Sequence, residues 1–132
     1  MPLLRTLIHD KLPDGVKPHV SYLNRYWLTV EACSVYAQAA AIVSLEQHSP
    51  IMGIAAGIPS VLLRQPTDTR KGQMWYDLRM NNWVFEIDHT RGGQIAERLV
   101  QIGRDLPAAR AAAAKARAYF HERMAAMIAA IP

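Results

Sequence analysis

The chain has 132 residues, which is enough for one domain with its own core and short for a complete two-domain enzyme. Hydrophobic residues make up 51% and charged residues 20%, a globular composition that excludes intrinsic disorder. The formal charge of +4 is spread along the chain, which favours anionic small molecules as partners and gives no signature of nucleic-acid binding.

Cysteine usage and hydropathy predict the compartment. The single cysteine, Cys33, excludes an internal disulfide, and residues 1–15 lack the apolar core of a signal peptide. No run is long and apolar enough to cross a bilayer. We therefore expect a cytoplasmic protein without a transmembrane segment, either free or at the inner face of the membrane. Cys33 itself is expected to be a small buried side chain on a helix.

The predicted elements alternate between helices and short strands. In chain order they are a helix at 3–11, a strand at 18–23, a helix at 30–40, a strand at 41–45, a helix at 51–56, a strand at 60–63, a helix at 69–79, a strand at 83–87, a helix at 92–103 and a long helix from 107 to about 130.

Capping residues define several of these boundaries. Thr29 is expected to cap the helix at 30–40, and Ser49 the helix at 51–56, with Pro50 at its first position. Gly57 is expected to end that helix in a left-handed conformation. Asp105 and Pro107 open the last helix, whose alanine run favours helix strongly.

Alternating strands and helices indicate a parallel sheet, because parallel strands need crossover connections. The predicted fold class is α/β: a Rossmann-like three-layer sandwich with a parallel sheet of about four strands and the long C-terminal helix packed outside. The whole chain, 1–132, is expected to form a single domain.

Polar side chains follow the ends of two successive strands, at the sheet edge where ligands bind in such folds. After the strand at 41–45 come Glu46, His48 and Ser49, and after the strand at 60–63 come Arg64, Thr67, Asp68, Arg70 and Lys71. His48 precedes a predicted helix start, so backbone N–H groups and the imidazole can hold an anion together. The three cations can grip a carboxylate or phosphate. A phosphorylated or carboxylated small molecule is the predicted ligand, with His48 as a proton carrier.

Structural roles are the alternative for the same residues. His48 can satisfy a loop carbonyl, and cations in a first helical turn are usually solvated. Thr67 and Asp68 are expected to be helix caps. Glu46 and Glu86 can orient His48 or pair with an arginine. The histidines and Cys33 lack metal-ligand spacing, so we predict no metal site and no cofactor. Trp75 is the aromatic residue that can stack on a substrate.

The stretch "IVSLEQHSPIMGIAAGIPSVLL" resembles the C-terminal lobe of the polysaccharide pyruvyl transferase family. The shared pattern is a strand, a short motif ending in histidine, an apolar helix and Gly-x-Pro leading into the next strand. The resemblance extends loosely over most of residues 26–100. Gly-x-Pro after an apolar helix also occurs in nucleotide-sugar glycosyltransferases with two Rossmann lobes, which is the runner-up resemblance.

The resemblance implies transfer of the enolpyruvyl unit of phosphoenolpyruvate to a sugar hydroxyl of a surface glycan. By the same resemblance, His48 contacts or protonates the donor. Many family members have arginine where this chain has Glu46, so the anion clamp is expected from Arg64, Arg70 or Lys71. Family members have two lobes, whereas this chain supplies about one, so a missing N-terminal lobe or a partner chain is implied.

Three functions remain open from the sequence: a transferase lobe, a binding or interaction module without turnover, and a scaffold whose basic strand ends are only solvated. The last helix carries an apolar stripe that one small sheet does not obviously need, so a homodimer is also expected. The stripe consists of Ala109, Ala113, Phe120, Met124, Met127 and Ile131.

Overall fold

The computed structural model describes residues 2–65, 67–68 and 70–131, which form two compact units. The first unit extends to Ala32 and the second begins at Cys33. The helices are α1 (Pro2–Leu7), α2 (Thr29–Tyr36), α3 (His48–Ala55), α4 (Gln73–Asp77), α5 (Gly92–Arg104) and α6 (Leu106–Ala129), and the strands are β1 (Ile42–Ser44), β2 (Ser60–Arg64) and β3 (Val84–Glu86).

The first unit contains no strand among its described residues, so the prediction of a strand at 18–23 is wrong. Lys17–His19 forms a 3₁₀ turn instead, and residues 21–28 are exposed. A strand is stable only beside another strand, and this segment has no such neighbour. The predicted helix at 3–11 is shorter, because α1 ends at Leu7 and His9–Lys11 is a separate 3₁₀ turn.

The second unit is built on a parallel sheet with the order β1-β2-β3. Val43 pairs with Val61, and Leu62 pairs with Val84. The predicted α/β class, the parallel sheet and the long C-terminal helix are confirmed, with three strands in the described chain. Helix α3 lies between β1 and β2 in the chain, and α4 lies between β2 and β3, as crossover connections between parallel strands require.

The core lies around the central strand β2, where Ser60, Val61 and Leu62 are buried. Trp75 of α4 is completely buried in this core, with 0% of its surface exposed, so the prediction that it can stack on a substrate is wrong. The first half of α6 contributes only small side chains to the core, namely Ala109, Ala113 and Ala116. Their size allows the helix backbone to approach closely.

Two predictions about α2 also need correction. The helix ends at Tyr36, short of the predicted residue 40, and none of its residues is buried. Cys33 is therefore exposed, whereas a buried side chain was expected. Within the described residues, no helix has the length and apolarity that crossing a membrane requires.

The connection from α3 to β2 is the best-predicted turn in the chain. Gly57 has φ of 75°, a left-handed conformation that costs glycine nothing. Its N–H donates to the carbonyl of Ile54 at 2.9 Å, and the N–H of Ile58 donates to the carbonyl of Gly53 at 2.8 Å. These two bonds form a Schellman motif, which ends α3 and turns the chain directly into β2.

Candidate functional site

The ends of β1 and β2 meet at one edge of the sheet because the two strands are parallel neighbours. An open hollow of about 360 Å³ lies there. Its described lining consists of Leu45, Glu46, Gln47, His48, Gln65 and Asp68. The fold thus brings Glu46 and His48, which follow β1, together with Asp68, which follows β2. No arginine or lysine is part of the described lining.

Glu46 holds the start of α3. Its carboxylate accepts hydrogen bonds from the backbone N–H of His48 at 2.9 Å and of Ser49 at 3.1 Å. The same carboxylate contacts Nδ1 of the His48 ring. The predicted cap is therefore corrected: α3 begins at His48, Glu46 accepts its first N–H groups, and Ser49 lies inside the first turn. Ser49 Oγ instead accepts from the hydroxyl of Tyr36 at 3.0 Å.

Glu46 is an ionised acceptor at neutral pH. Partial burial raises the pKa of its carboxyl. The hydrogen bonds from the N–H groups of His48 and Ser49 and the contact with the His48 side chain lower the pKa by more than burial raises it, so the net shift is downward. A carboxylate can only accept hydrogen bonds, so Nδ1 of His48 carries the proton in their contact. The His48 side chain is otherwise open, with 80% of its surface exposed.

The N-terminus of α3 is consequently already occupied. The sequence predicted that its free N–H groups would hold a ligand anion together with His48. Since the Glu46 carboxylate accepts from the N–H groups of both His48 and Ser49, these donors are not available to a ligand. That part of the predicted anion site is wrong, and the reason is the glutamate itself.

Arg64 does not belong to the described lining of the hollow, although it donates to the backbone carbonyl of Asp68 at 3.4 Å. Its guanidinium donates to the carboxylate of Glu86 at 2.8 Å, and the hydroxyl of Tyr76 donates to the same oxygen at 3.1 Å. The hydrogen bond to Glu86 raises the pKa of Arg64 despite partial burial. The arginine side chain also crosses Gly72, where a Cβ atom would lie 2.5 Å from Nε. Arg64 is therefore paired, as the structural interpretation of Glu86 predicted.

The remaining predicted residues follow β2 in a turn. The carboxylate of Asp68 accepts from the backbone N–H of Gln65 at 2.9 Å, which closes this turn. Neither Thr67 nor Asp68 caps α4, which begins at Gln73, so the predicted helix at 69–79 is a 3₁₀ turn at Arg70–Gly72 followed by α4. Thr67 is exposed.

Two cations follow β2 directly in the chain. Arg70 is exposed, and its side chain has no ion-pair partner among the described residues. The side chain of Lys71 lies outside the described part of the structure. The predicted anion clamp consisted of Arg64, Arg70 and Lys71. Because Arg64 is paired with Glu86, Arg70 and Lys71 are its remaining candidates.

Sequence reasoning missed three residues that shape this edge: Tyr36, Gly72 and Tyr76. Tyr36 and Tyr76 hold Ser49 and Glu86 through contacts 13 and 10 residues apart in the chain. Gly72 provides the space for the Arg64 side chain. No local pattern marks any of them, because each role depends on the tertiary arrangement.

Within the described ranges, no group of three or more His, Cys, Asp or Glu side chains is placed to hold a metal ion. None of the protein-family models, curated proteins or solved structures with which the chain was compared matches it.

Proposed function

We propose that the chain is the donor-side lobe of a transferase of the polysaccharide pyruvyl transferase type. Such a lobe takes part in moving the enolpyruvyl unit of phosphoenolpyruvate to a sugar hydroxyl of a surface glycan. The observation that carries the proposal is the exposed His48, held by Glu46 at the carboxyl edge of a parallel sheet. The resemblance in residues 42–63 centres on the same histidine.

In this proposal His48 moves the proton and the residues after β2 bind the donor. An imidazole held by a carboxylate is a common proton carrier near neutral pH. Arg70, which is exposed, and Lys71, which follows it in the chain, supply positive charge for the phosphate and carboxylate of the donor. We assign Ser49, Thr67 and Asp68 to substrate binding. Arg64 has an indirect role, because its ion pair with Glu86 holds the end of β2 in place.

The proposal includes a larger sheet and a further lobe. We propose that the three strands belong to a Rossmann-like sheet of about four, in which a further strand covers the outer edge of β1. In the described sheet β1 is an outer strand with β2 on one side, and proteins normally cover or blunt such an edge. The lobe would work in the cytoplasm or at the inner face of the membrane.

The second half of α6 supports the same idea of a partner surface. The apolar line that is buried at Ala109, Ala113 and Ala116 continues along the helix as exposed side chains. These are Phe120, Met124 and Met127, and the exposed Ile131 follows just beyond the end of the helix. A second copy or the other lobe would cover them, and sedimentation of the protein distinguishes a homodimer from a monomer.

The direct test is an assay of phosphate release from phosphoenolpyruvate with a panel of sugar acceptors, and mass spectrometry of the sugars for a pyruvate ketal. We expect His48→Ala to lower the rate by at least about a hundredfold without unfolding the protein. Arg70→Ala should mainly raise KM, because it removes donor binding. Arg104→Ala, an exposed cation at the end of α5, is the matched control.

Two results would count against the proposal. Unchanged phosphate release in His48→Ala would remove the role assigned to this histidine. Transfer from a nucleotide sugar, in place of phosphoenolpyruvate, would favour the glycosyltransferase alternative.

A binding module without turnover is the second candidate. It is favoured by one observation: Arg70 is exposed and has no ion-pair partner among the described residues, so it can hold an anion without a catalytic partner lobe. Calorimetry with phosphoenolpyruvate separates it from the transferase, because a module binds without forming product. The absence of any anion binding would leave a scaffold with solvated strand ends.

A further inference from the structure

We propose that Glu46 is a positioning residue that fixes the proton of the neutral His48 ring on Nδ1, so that Nε2 accepts a proton from a hydroxyl-bearing ligand in the hollow between the ends of β1 and β2. This inference rests on the proposed function and deepens it. It assigns His48 the role of a base toward the acceptor, where the family resemblance implied contact with the donor.

The contact with Glu46 determines which ring nitrogen of His48 carries the proton. The Glu46 carboxylate contacts Nδ1 and is held in place by the N–H groups of His48 and Ser49. The N–H of Glu46 donates to Ser44 Oγ at 2.9 Å, which fixes the glutamate backbone to the end of β1. Because the carboxylate accepts a hydrogen bond from Nδ1–H, Nε2 of the neutral ring is left with a lone pair.

The side chains that line the hollow indicate the kind of ligand that it can hold. Two carboxylates, Glu46 and Asp68, line it together with the amides of Gln47 and Gln65. Two carboxylates repel a phosphate, whereas they accept hydrogen bonds from hydroxyl groups. Amides can both donate to hydroxyl oxygens and accept from hydroxyl protons. A neutral polyhydroxylated ligand, such as a sugar, therefore suits this lining better than an anion.

The reaction step is a proton transfer from the ligand to His48. The O–H bond of the ligand breaks, its proton moves to Nε2, and the electron pair stays on the oxygen, which becomes the nucleophile. The resulting imidazolium has its positive charge beside the Glu46 carboxylate, which stabilises it. The arrangement needs no further reactant for this step.

The test is ¹⁵N NMR of the His48 ring at a pH at which the ring is neutral. We expect the wild-type protein to show the Nδ1–H tautomer. Glu46→Asn separates the two roles of the glutamate, because a shorter side chain can still accept from the first N–H groups of α3 but does not reach the ring. We expect this variant to melt close to the wild type and to shift the ring toward the Nε2–H tautomer. Glu122→Ala on α6 is the control and should change neither.

A second arm tests the ligand. Glucose, galactose and mannose at high concentration should shift the amide signals of His48 and Asp68, and inorganic phosphate should not. Where transfer activity is measurable, Glu46→Asn should lower kcat about ten- to a hundredfold with little change in KM.

Two outcomes would overturn the inference: an Nε2–H ring in the wild type, or a hollow that responds to phosphate and to none of the sugars. Failure of the proposed function looks different. In that case the tautomer and the sugar response persist, while phosphoenolpyruvate gives no product.

Discussion

Arg64 and Glu86 lie opposite each other in the register of β2 and β3 and form an ion pair. The sequence alone left open whether Arg64 would bind a ligand or pair with a carboxylate. Both side chains are less than one-third exposed, so the pair is screened less than a surface pair. The Tyr76 hydroxyl adds a third contact to the same carboxylate. The network ties the ends of β2 and β3 to α4.

Removing one partner of this pair should cost stability. We expect Glu86→Gln to lower the free energy of unfolding by about 1–2 kcal/mol, because the guanidinium of Arg64 keeps its charge and loses its carboxylate. Urea denaturation measures the change. Glu97→Gln, which neutralises an exposed carboxylate on α5, should stay within about 0.5 kcal/mol of the wild type. Equal effects of the two substitutions would mean that the pair contributes nothing.

The sequence indicated some of these residue roles and could not indicate others. Glu46 lies two residues before His48, so a contact between them was among the local possibilities. The pairing of Arg64 with Glu86 spans 22 residues and depends on the register of two strands. The occupied N-terminus of α3 was missed because Ser49 was the more typical cap, whereas Glu46, three residues before it, accepts from the N–H groups of His48 and Ser49.

At the scale of elements, local sequence patterns predicted correctly the helices that are long and the elements whose ends are marked by capping or turn residues. The helices predicted at 92–103 and from 107 to about 130 are α5 and α6 within one or two residues, because periodicity and alanine content act along their whole length. The Gly57 turn and β2 were also predicted correctly. The strand at 18–23 was not, because a strand depends on a neighbour that local sequence does not specify.

Two helical glycines should respond in opposite directions to substitution by alanine. A Cβ atom at Gly53 would lie 2.1 Å from Ser60 Oγ and 2.6 Å from Ile42 Cδ1, because α3 packs closely on β1 and β2. We expect Gly53→Ala to lower the free energy of unfolding by about 1–3 kcal/mol. At Gly103 of α5 nothing lies within 4 Å, so Gly103→Ala should raise it by about 0.5–1 kcal/mol through helix propensity.

Thermal and urea denaturation of both variants checks this pair. A stabilised Gly53→Ala variant would contradict the close packing of α3 on the sheet. A destabilised Gly103→Ala variant would contradict the open environment of α5 at that position.

At the scale of the whole molecule, the two units depend on different interactions. The second unit has the sheet and the apolar core, whereas the first has no buried residue among those whose side chains are described. The best-defined contact of the first unit is the ion pair between Arg25 and Glu31, in which two nitrogens of the arginine each donate to one carboxylate oxygen at 2.8 Å. The N–H of Leu28 also donates to Glu31, at 2.9 Å.

This contact should make the first unit sensitive to acid. The hydrogen bond from Arg25, followed by that from the Leu28 N–H, lowers the pKa of Glu31 from 4.5 to about 2. A lowered pKa in the folded state stabilises the fold above pH 4.5, and this contribution is lost as the pH falls toward 2. We expect the Glu31 side-chain carboxyl signal in ¹³C NMR to titrate near the lower value, and Arg25→Ala to return it toward 4.5. A midpoint near 4.5 in the wild type would show that the ion pair does not form in solution.

The central claim is that the ends of β1 and β2 form the functional edge of the molecule, and a titration of the ¹⁵N-labelled protein with phosphoenolpyruvate tests it most directly. The account predicts that phosphoenolpyruvate shifts the amide signals of residues 70–72, next to the ends of these strands, and that Arg70→Ala weakens the response while Arg104→Ala does not. Shifts confined to other surfaces, such as the apolar crevice between α3, α4 and α6, or no shifts at all, would contradict it.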